Sequence, residues 1–337
     1  MIHGGRLRAA ANRYGIAEPD WLDLSTGIAP WSWPVPPLPA AVWARLPEAD
    51  DGLIAAAADY YGVPPERLVA LPGSQFAIRE LPRLFAPCTV AVPAIGYTEH
   101  AAAWRAAGHR LMWYADLDAL DAMCSELDRA VVLDPNNPTG ERAAPERLGR
   151  LAAALGPGRL IVDAAFADCS DGLSFDPLDS DAVVLRSVGK FFGLAGMRLG
   201  FAFGHAATVD TLRPAVEPWG VAHPARWIGT RALADTDWQR GQRARIDDTE
   251  TWLRACLTDA FPGRAIATGG LFVTVFFQGE AEAGALHDAL ARRGVLTRLG
   301  DNGHWLRFGL PAETQRERLS CALCDMHAHA GSSGASR

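Results

Sequence analysis

Short apolar runs alternate with stretches whose apolar positions recur every three or four residues through the first two-thirds of the chain. The runs Cys88–Val92, Leu111–Tyr114, Ala130–Asp134, Leu160–Asp163, Ala182–Arg186 and Leu199–Gly204 predict strands. The helical spacing falls at Ser74–Phe85, Thr98–Ala107, Leu117–Leu127 and Pro145–Leu155. Strand–helix alternation of this kind predicts an α/β fold: a mostly parallel sheet with helices on both faces. The rhythm then changes. A long helical stretch, Trp238–Phe261, is followed by a strand at Leu271–Phe277 and a helix at Ala281–Arg293. A strand at Trp305–Gly309 and a last helix at Glu313–His327 complete a smaller α+β domain. The expected division is an extended N-terminal arm (1–45, with Pro30-Trp31-Ser32-Trp33-Pro34), a large domain (46–235), a small C-terminal domain (236–330) and a Gly/Ser-rich disordered tail (331–337). No internal repeat interrupts this order.

Composition narrows the classes of function. Of 337 residues, 49% are apolar and 21% charged, enough for a full core and unlike a disordered chain. The net charge is −7 and no basic block occurs, so nucleic acid is not the expected partner. No apolar run reaches the ~20 residues that cross a bilayer, and the start, Met1-Ile2-His3-Gly4-Gly5-Arg6, has no apolar signal segment. Six scattered cysteines read as reduced thiols, and a cytoplasmic location is expected. Cys321, Cys324, His327 and His329 are zinc-ligand types. They fall on the expected last helix with no second half-site, so no metal centre is expected.

The 32 basic residues comprise 31 arginines and a single lysine, Lys190. Arginine substitutes for lysine wherever only charge is needed, but not where an amine must lose a proton and attack a carbonyl. Lys190 is therefore a candidate nucleophile. Its neighbourhood, Arg186-Ser187-Val188-Gly189-Lys190 through Gly196-Met197-Arg198, follows an expected strand and offers a hydroxyl (Ser187) and a guanidinium fork (Arg198) suited to phosphate. A Schiff-base amine beside a phosphate grip points to pyridoxal phosphate.

Other segments supply the rest of such a site. Asp134-Pro135-Asn136-Asn137-Pro138-Thr139-Gly140 turns at a strand's C-terminal end, where ligands bind in α/β sheets, and Asn137 can donate to a ring oxygen. Asp163 closes a buried strand and can face a protonated pyridine nitrogen. Gly73-Ser74-Gln75 opens a helix, whose first amides favour a phosphate. Tyr97 follows Pro93-Ala94-Ile95-Gly96 and can stack on a ring. Each alone reads equally well as a strand end, an N-cap or a turn. Their joint order around the only lysine does not.

This combination resembles the fold type I pyridoxal-phosphate enzymes, the aspartate aminotransferase superfamily, from about Leu46 to Pro311. The resemblance implies pyridoxal 5′-phosphate on Lys190, with Asp163 at the ring nitrogen, Asn137 at the ring hydroxyl and Tyr97 on the ring face. It implies a phosphate held by Ser187, Arg198 and the Gly73–Gln75 backbone, substrate contacts by Asn137, and Arg307 on the substrate carboxylate. A homodimer is implied as well.

Within the superfamily the chain is most similar to the threonine-phosphate decarboxylase family of cobalamin biosynthesis. The histidinol-phosphate aminotransferases are the neighbouring alternative. The likeness rests on His3-Gly4-Gly5, Leu22-Asp23-Leu24-Ser25-Thr26-Gly27-Ile28, Phe166 in place of a common Tyr, and Pro218-Trp219-Gly220-Val221. It implies decarboxylation of a small phosphorylated amino acid, L-threonine O-3-phosphate. His3, Gly4, Gly5, Arg6, Ser25 and Thr26 would form the substrate end, with a second phosphate on the Gly-Gly turn. Leu46-Pro47-Glu48 stands where relatives often carry Tyr-Pro-Asp, the Tyr reaching the partner subunit's cofactor phosphate, so the resemblance leaves that one cross-subunit contact open. A non-catalytic binding or scaffold protein of the same fold is the alternative from another class; the complete Lys/Asp/Asn/Arg set argues against it.

Overall fold

A computed structural model describes residues 4–170 and 176–332. His3, one of the expected substrate contacts, and residues 333–337 of the expected tail lie outside the described residues. The chain forms two compact units, one from residues 1–31 and 242–337, the other from residues 32–241.

The first unit begins with a helix at Leu7–Tyr14, which Gly15 ends in the left-handed conformation at φ 70°. A short strand, β1 (Leu22–Asp23), follows. The arm thus carries regular structure of its own ahead of the Pro/Trp-rich stretch, where no helix or strand forms between residues 24 and 39.

The larger unit holds a seven-stranded sheet. Its strands are β2 (Leu68–Leu71), β3 (Thr89–Pro93), β4 (Arg110–Tyr114), β5 (Arg129–Leu133), β6 (Leu160–Asp163), β7 (Val183–Ser187) and β8 (Gly200–Gly204). The order is β2-β8-β7-β6-β5-β3-β4, and only β8 runs antiparallel to its neighbours. The expected α/β architecture is therefore present. Strand β2 was not expected: Leu68-Val69-Ala70-Leu71 is too short for its apolar run to tell strand from helix. One face of the sheet packs Val90, Val131, Ile161 and Leu185 against Ile78, Trp104 and Leu212, from helices Ser74–Glu80, Glu99–Ala106 and Ala206–Val216. The parallel strands end together, so the loops after β3, β5, β6 and β7 emerge at one edge. Those loops carry most of the candidate residues.

The rest of the first unit is α+β. Strands β9 (Ile266–Thr268), β10 (Phe272–Phe276), β12 (Arg298–Leu299) and β13 (Trp305–Gly309) form an antiparallel sheet in the order β12-β13-β10-β9. Strand β11 (Val295–Leu296) pairs in parallel with β1. This fixes the N-terminal segment to its own unit, with Trp21, Ala10, Ala291 and Leu296 buried together. The last helix, Arg316–Ser332, takes in the first two residues of the segment expected as tail. Among the described residues no helix is long and apolar enough to cross a membrane.

Candidate active site

Lys190 lies on a one-turn helix, Val188–Phe191, directly after β7. Its ammonium nitrogen sits 5.5 Å from the centroid of the Phe166 ring, three residues past the end of β6. Registers Ser187↔Gly200 and Leu71↔Gly200 bring the ends of β7 and β2 to either side of the start of β8. Glycine is required there: a Cβ on Gly200 would lie 2.5 Å from the Ser74 amide nitrogen. Gly73, at φ +82°, leaves equal room for Arg198, whose Nη2 would stand 2.6 Å from an added Cβ. The two glycines thus let a guanidinium, Ser187 and the first turn of helix Ser74–Glu80 converge. The first amides of a helix have no intrahelical acceptor, and Arg198 adds charge. The cradle fits a phosphate group.

Asp163 is 6% exposed at the end of β6. Its Oδ1 accepts from the Ala165 amide (3.2 Å), and its Oδ2 is 2.8 Å from His100 Nε2. A carboxylate only accepts, so Nε2 carries the proton and aims the acid. His100 was missed in the sequence. It stands one helical turn past Tyr97, and nothing in its own segment shows that it meets a residue 63 positions away. The rings of Tyr97 and His100 meet edge-on at 6.3 Å. The Tyr97 hydroxyl donates to Gln75 Oε1 (2.9 Å), and Gln75 Nε2 donates to Glu99 (2.9 Å). Asp163, His100, Tyr97 and Gln75 thus form a continuous line to the phosphate cradle. Burial, then the charges of Glu99 and Asp163, push the Tyr97 hydroxyl up to about 12, so it remains a neutral donor. Asn137 is half-buried on the turn after β5. Its neighbour Asn136, also missed, is buried and donates to the Ile95 carbonyl (2.9 Å), tying that turn to the Tyr97 loop.

The remaining expected residues belong to the other unit and form a cluster of their own. A Cβ on Gly4 would lie 2.1 Å from the Ser25 carbonyl oxygen. The Gly5 amide donates to Ser25 Oγ (2.8 Å), which donates to Asp23 (2.6 Å). Arg307, on β13, donates from Nη2 to the Ser25 carbonyl at 2.8 Å. The Thr26 carbonyl meets Gly309, where an added Cβ would stand 2.3 Å away. Burial, with the nearby charge of Arg298, lowers Arg307 to about 10.

Arg298 was also missed. It is the register partner of Arg307 across β12 and β13, so both side chains share one sheet face. It also lines a cavity of about 460 Å³ with Gly4, Arg6, Arg13, Ser25 and His287. Like charges directly opposite each other destabilise a sheet, and here Arg298 Nη2 donates to Asp301 (3.0 Å), a carboxylate on the wall of the same cavity. Arg6 is exposed at the rim of the helix Leu7–Tyr14.

Comparison with known proteins agrees with this geometry. Residues 45–324 match aminotransferase class I and II. The chain belongs to that family. A threonine-phosphate decarboxylase from Pseudomonas aeruginosa is 45% identical over 96% of this chain and 97% of its own length. Another, from a Sinorhizobium species, is 40% identical over 97% and 98%. The histidinol-phosphate aminotransferase of Sinorhizobium meliloti, solved in complex with pyridoxal-5′-phosphate, superposes with a TM-score of 0.80 at 20% identity. That superposition covers 96% of this chain and 94% of the other, and it establishes the class I and II aminotransferase fold alone.

Proposed function

We propose that the protein is a pyridoxal-phosphate-dependent lyase that decarboxylates L-threonine O-3-phosphate to (R)-1-amino-2-propanol O-2-phosphate, in cobalamin biosynthesis. The carrying observation is Arg307, held by the Ser25 carbonyl beside Gly4 and Gly5, with Arg298 next to it on the same sheet face and paired with Asp301 (3.0 Å), a cluster that suits an anionic substrate. Near full-length identity of 45% and 40% to two threonine-phosphate decarboxylases supports the same reading.

The cofactor supplies an electron sink for the pair left at Cα when a bond there breaks. The chain's own groups do the rest. Lys190 Nζ is the amine that would hold the cofactor, and that amine or a water would return a proton to Cα. Asp163, aimed by His100, holds the ring-nitrogen proton. Ser187, Arg198 and the Gly73–Ser74 backbone bind the cofactor phosphate, Asn137 the ring hydroxyl, and Tyr97 covers the ring. Arg307 holds the substrate carboxylate, while Gly4, Gly5, Arg6 and Arg298 receive its phosphate. Anchors at opposite ends of a small substrate fix its rotation, which selects the bond broken.

A homodimer in the cytoplasm is part of this reading. Trp43, Leu46 and Trp219 are 70%, 60% and 59% exposed on the larger unit. Pro47, Glu48 and Trp219 line one groove there, and His223 Nδ1 lies 3.1 Å from the Arg45 carbonyl. A patch of this kind marks an interaction surface.

The test is product analysis with L-threonine O-3-phosphate, with and without 2-oxoglutarate. Released CO2 that does not depend on the keto acid is the expected result. A keto-acid product that depends on 2-oxoglutarate would transfer the assignment to the histidinol-phosphate type of aminotransferase.

A further inference from the structure

We infer that the buried Arg186–Asp168 pair is a positioning device for the reactive lysine: it clamps the turn after β6, which follows Asp163 and Phe166, to the end of β7, which leads into Ser187 and Lys190. The inference rests on the reading of Lys190 as the cofactor-bearing amine.

Arg186 is 2% exposed and Asp168 1% exposed, and Arg186 Nη2 donates to Asp168 Oδ1. The pair lies inside a built network. Tyr60, from helix Leu53–Tyr61, donates its hydroxyl to the same Asp168 oxygen at 3.0 Å. The Arg186 guanidinium lies 5.0 Å from the centroid of the Tyr61 ring. Tyr61 in turn packs on Phe201 and Phe203 of β8, at 5.5 and 5.1 Å. The Tyr60 ring lies 6.0 Å from Phe192, two residues past Lys190. The lysine is therefore bracketed. Arg186 fixes the chain four residues before it and Phe192 two residues after, both through one helix. On the opposing turn, Asp168 sits two residues after Phe166, whose ring faces the Lys190 amine.

Filling space does not require charge here. Taking two ions out of water is costly, and apolar residues of similar volume often stabilise a core as well or better. What the ion pair adds is direction. The Asp168 Oδ1 that accepts from both Arg186 Nη2 and the Tyr60 hydroxyl is a directional junction, whereas apolar contacts tolerate sliding. The sheet already sets Asp163 beside Leu185; the segments the pair joins carry Phe166 and Lys190 beyond that pairing, and small misplacements at a reacting centre cost large factors in rate.

The test compares the parent with the double variant Arg186→Met/Asp168→Leu, which keeps the core filled and leaves no lone charge, and with Tyr60→Phe, which removes one hydrogen bond. Thermal unfolding, titration of apoprotein with pyridoxal phosphate, the pH midpoint of the lysine-bound absorbance, kcat and KM are measured. For the double variant, unfolding within a few degrees of the parent is expected. Cofactor affinity should fall about ten-fold, the pH midpoint should move, and kcat should drop about 10- to 100-fold with KM little changed. Tyr60→Phe should move the same quantities in the same direction by less. It decides the matter alone if the double variant does not fold. Unchanged affinity and midpoint in a folded variant would overturn the inference and make the pair packing only. A parent without lysine-bound absorbance would instead overturn the functional reading, and the two failures are thereby distinct.

Discussion

In the proposed reading Lys190 is the residue on which the chemistry turns, and its replacement separates charge from reactivity. Lys190→Arg should keep the fold yet lose the absorbance of lysine-bound cofactor, because a guanidinium does not give up its proton near neutral pH; a spectrum of the purified variant checks this. His100→Leu should leave Lys190 able to take up cofactor but lower kcat about ten-fold, through loss of one charge-assisted hydrogen bond to Asp163. Steady-state kinetics at saturating cofactor reads that loss. Arg307 makes a pH prediction. Its folded value, about 10, lies below its ordinary 12.5. The unfolded chain therefore holds this proton more tightly. Its burial penalty is present in full at neutral pH and relieved as pH rises through 10, so its share of stability increases there. Substrate binding runs the other way: the carboxylate needs the charged form, so KM should climb above pH 10. Arg298→Ala should displace that climb to higher pH by removing the neighbouring charge, while weakening binding at neutral pH. A KM–pH profile of both proteins tests the sign.

At the scale of elements, glycine sets how closely loops approach. Gly73→Ala places a side chain at φ +82°, ψ 152°, a region nearly confined to glycine, and against Arg198. About 1–3 kcal/mol of strain is expected, with cofactor affinity falling about ten-fold in an apoprotein titration. Elements of this kind were unevenly legible in the sequence. Helix Pro145–Leu155 and strands Leu160–Asp163 and Trp305–Gly309 fall where the apolar pattern put them, because Pro at a first turn and unbroken apolar runs are local signals. The helix Leu7–Tyr14 was lost beside a Pro/Trp-rich neighbour. Lys190 and Arg198 stood out because they share one short segment, and Asp163 because it closes an unbroken apolar run. His100, Arg298 and the Arg186–Asp168 pair were not. Their partners are supplied by the sheet or by packing between elements, and no local period records that.

For the whole molecule, the prominent surface feature is the apolar patch at Trp43, Leu46 and Trp219 on a chain of net charge −7. Trp219 is held at φ +63°, uncommon for a bulky residue, with its ring exposed. Trp43→Glu/Leu46→Glu should shift a dimer toward monomer in sedimentation velocity, with activity that becomes dependent on protein concentration. An unchanged sedimentation coefficient would remove this patch from the interface.

The lone lysine has a practical corollary for anyone handling the protein. An aldehyde added to most proteins scatters over many surface amines. Here one half-buried side chain is the sole ε-amine on offer. Borohydride trapping of the aldehyde should therefore label one internal peptide besides the chain's α-amine, and the label on that internal peptide reads as the fraction of competent sites.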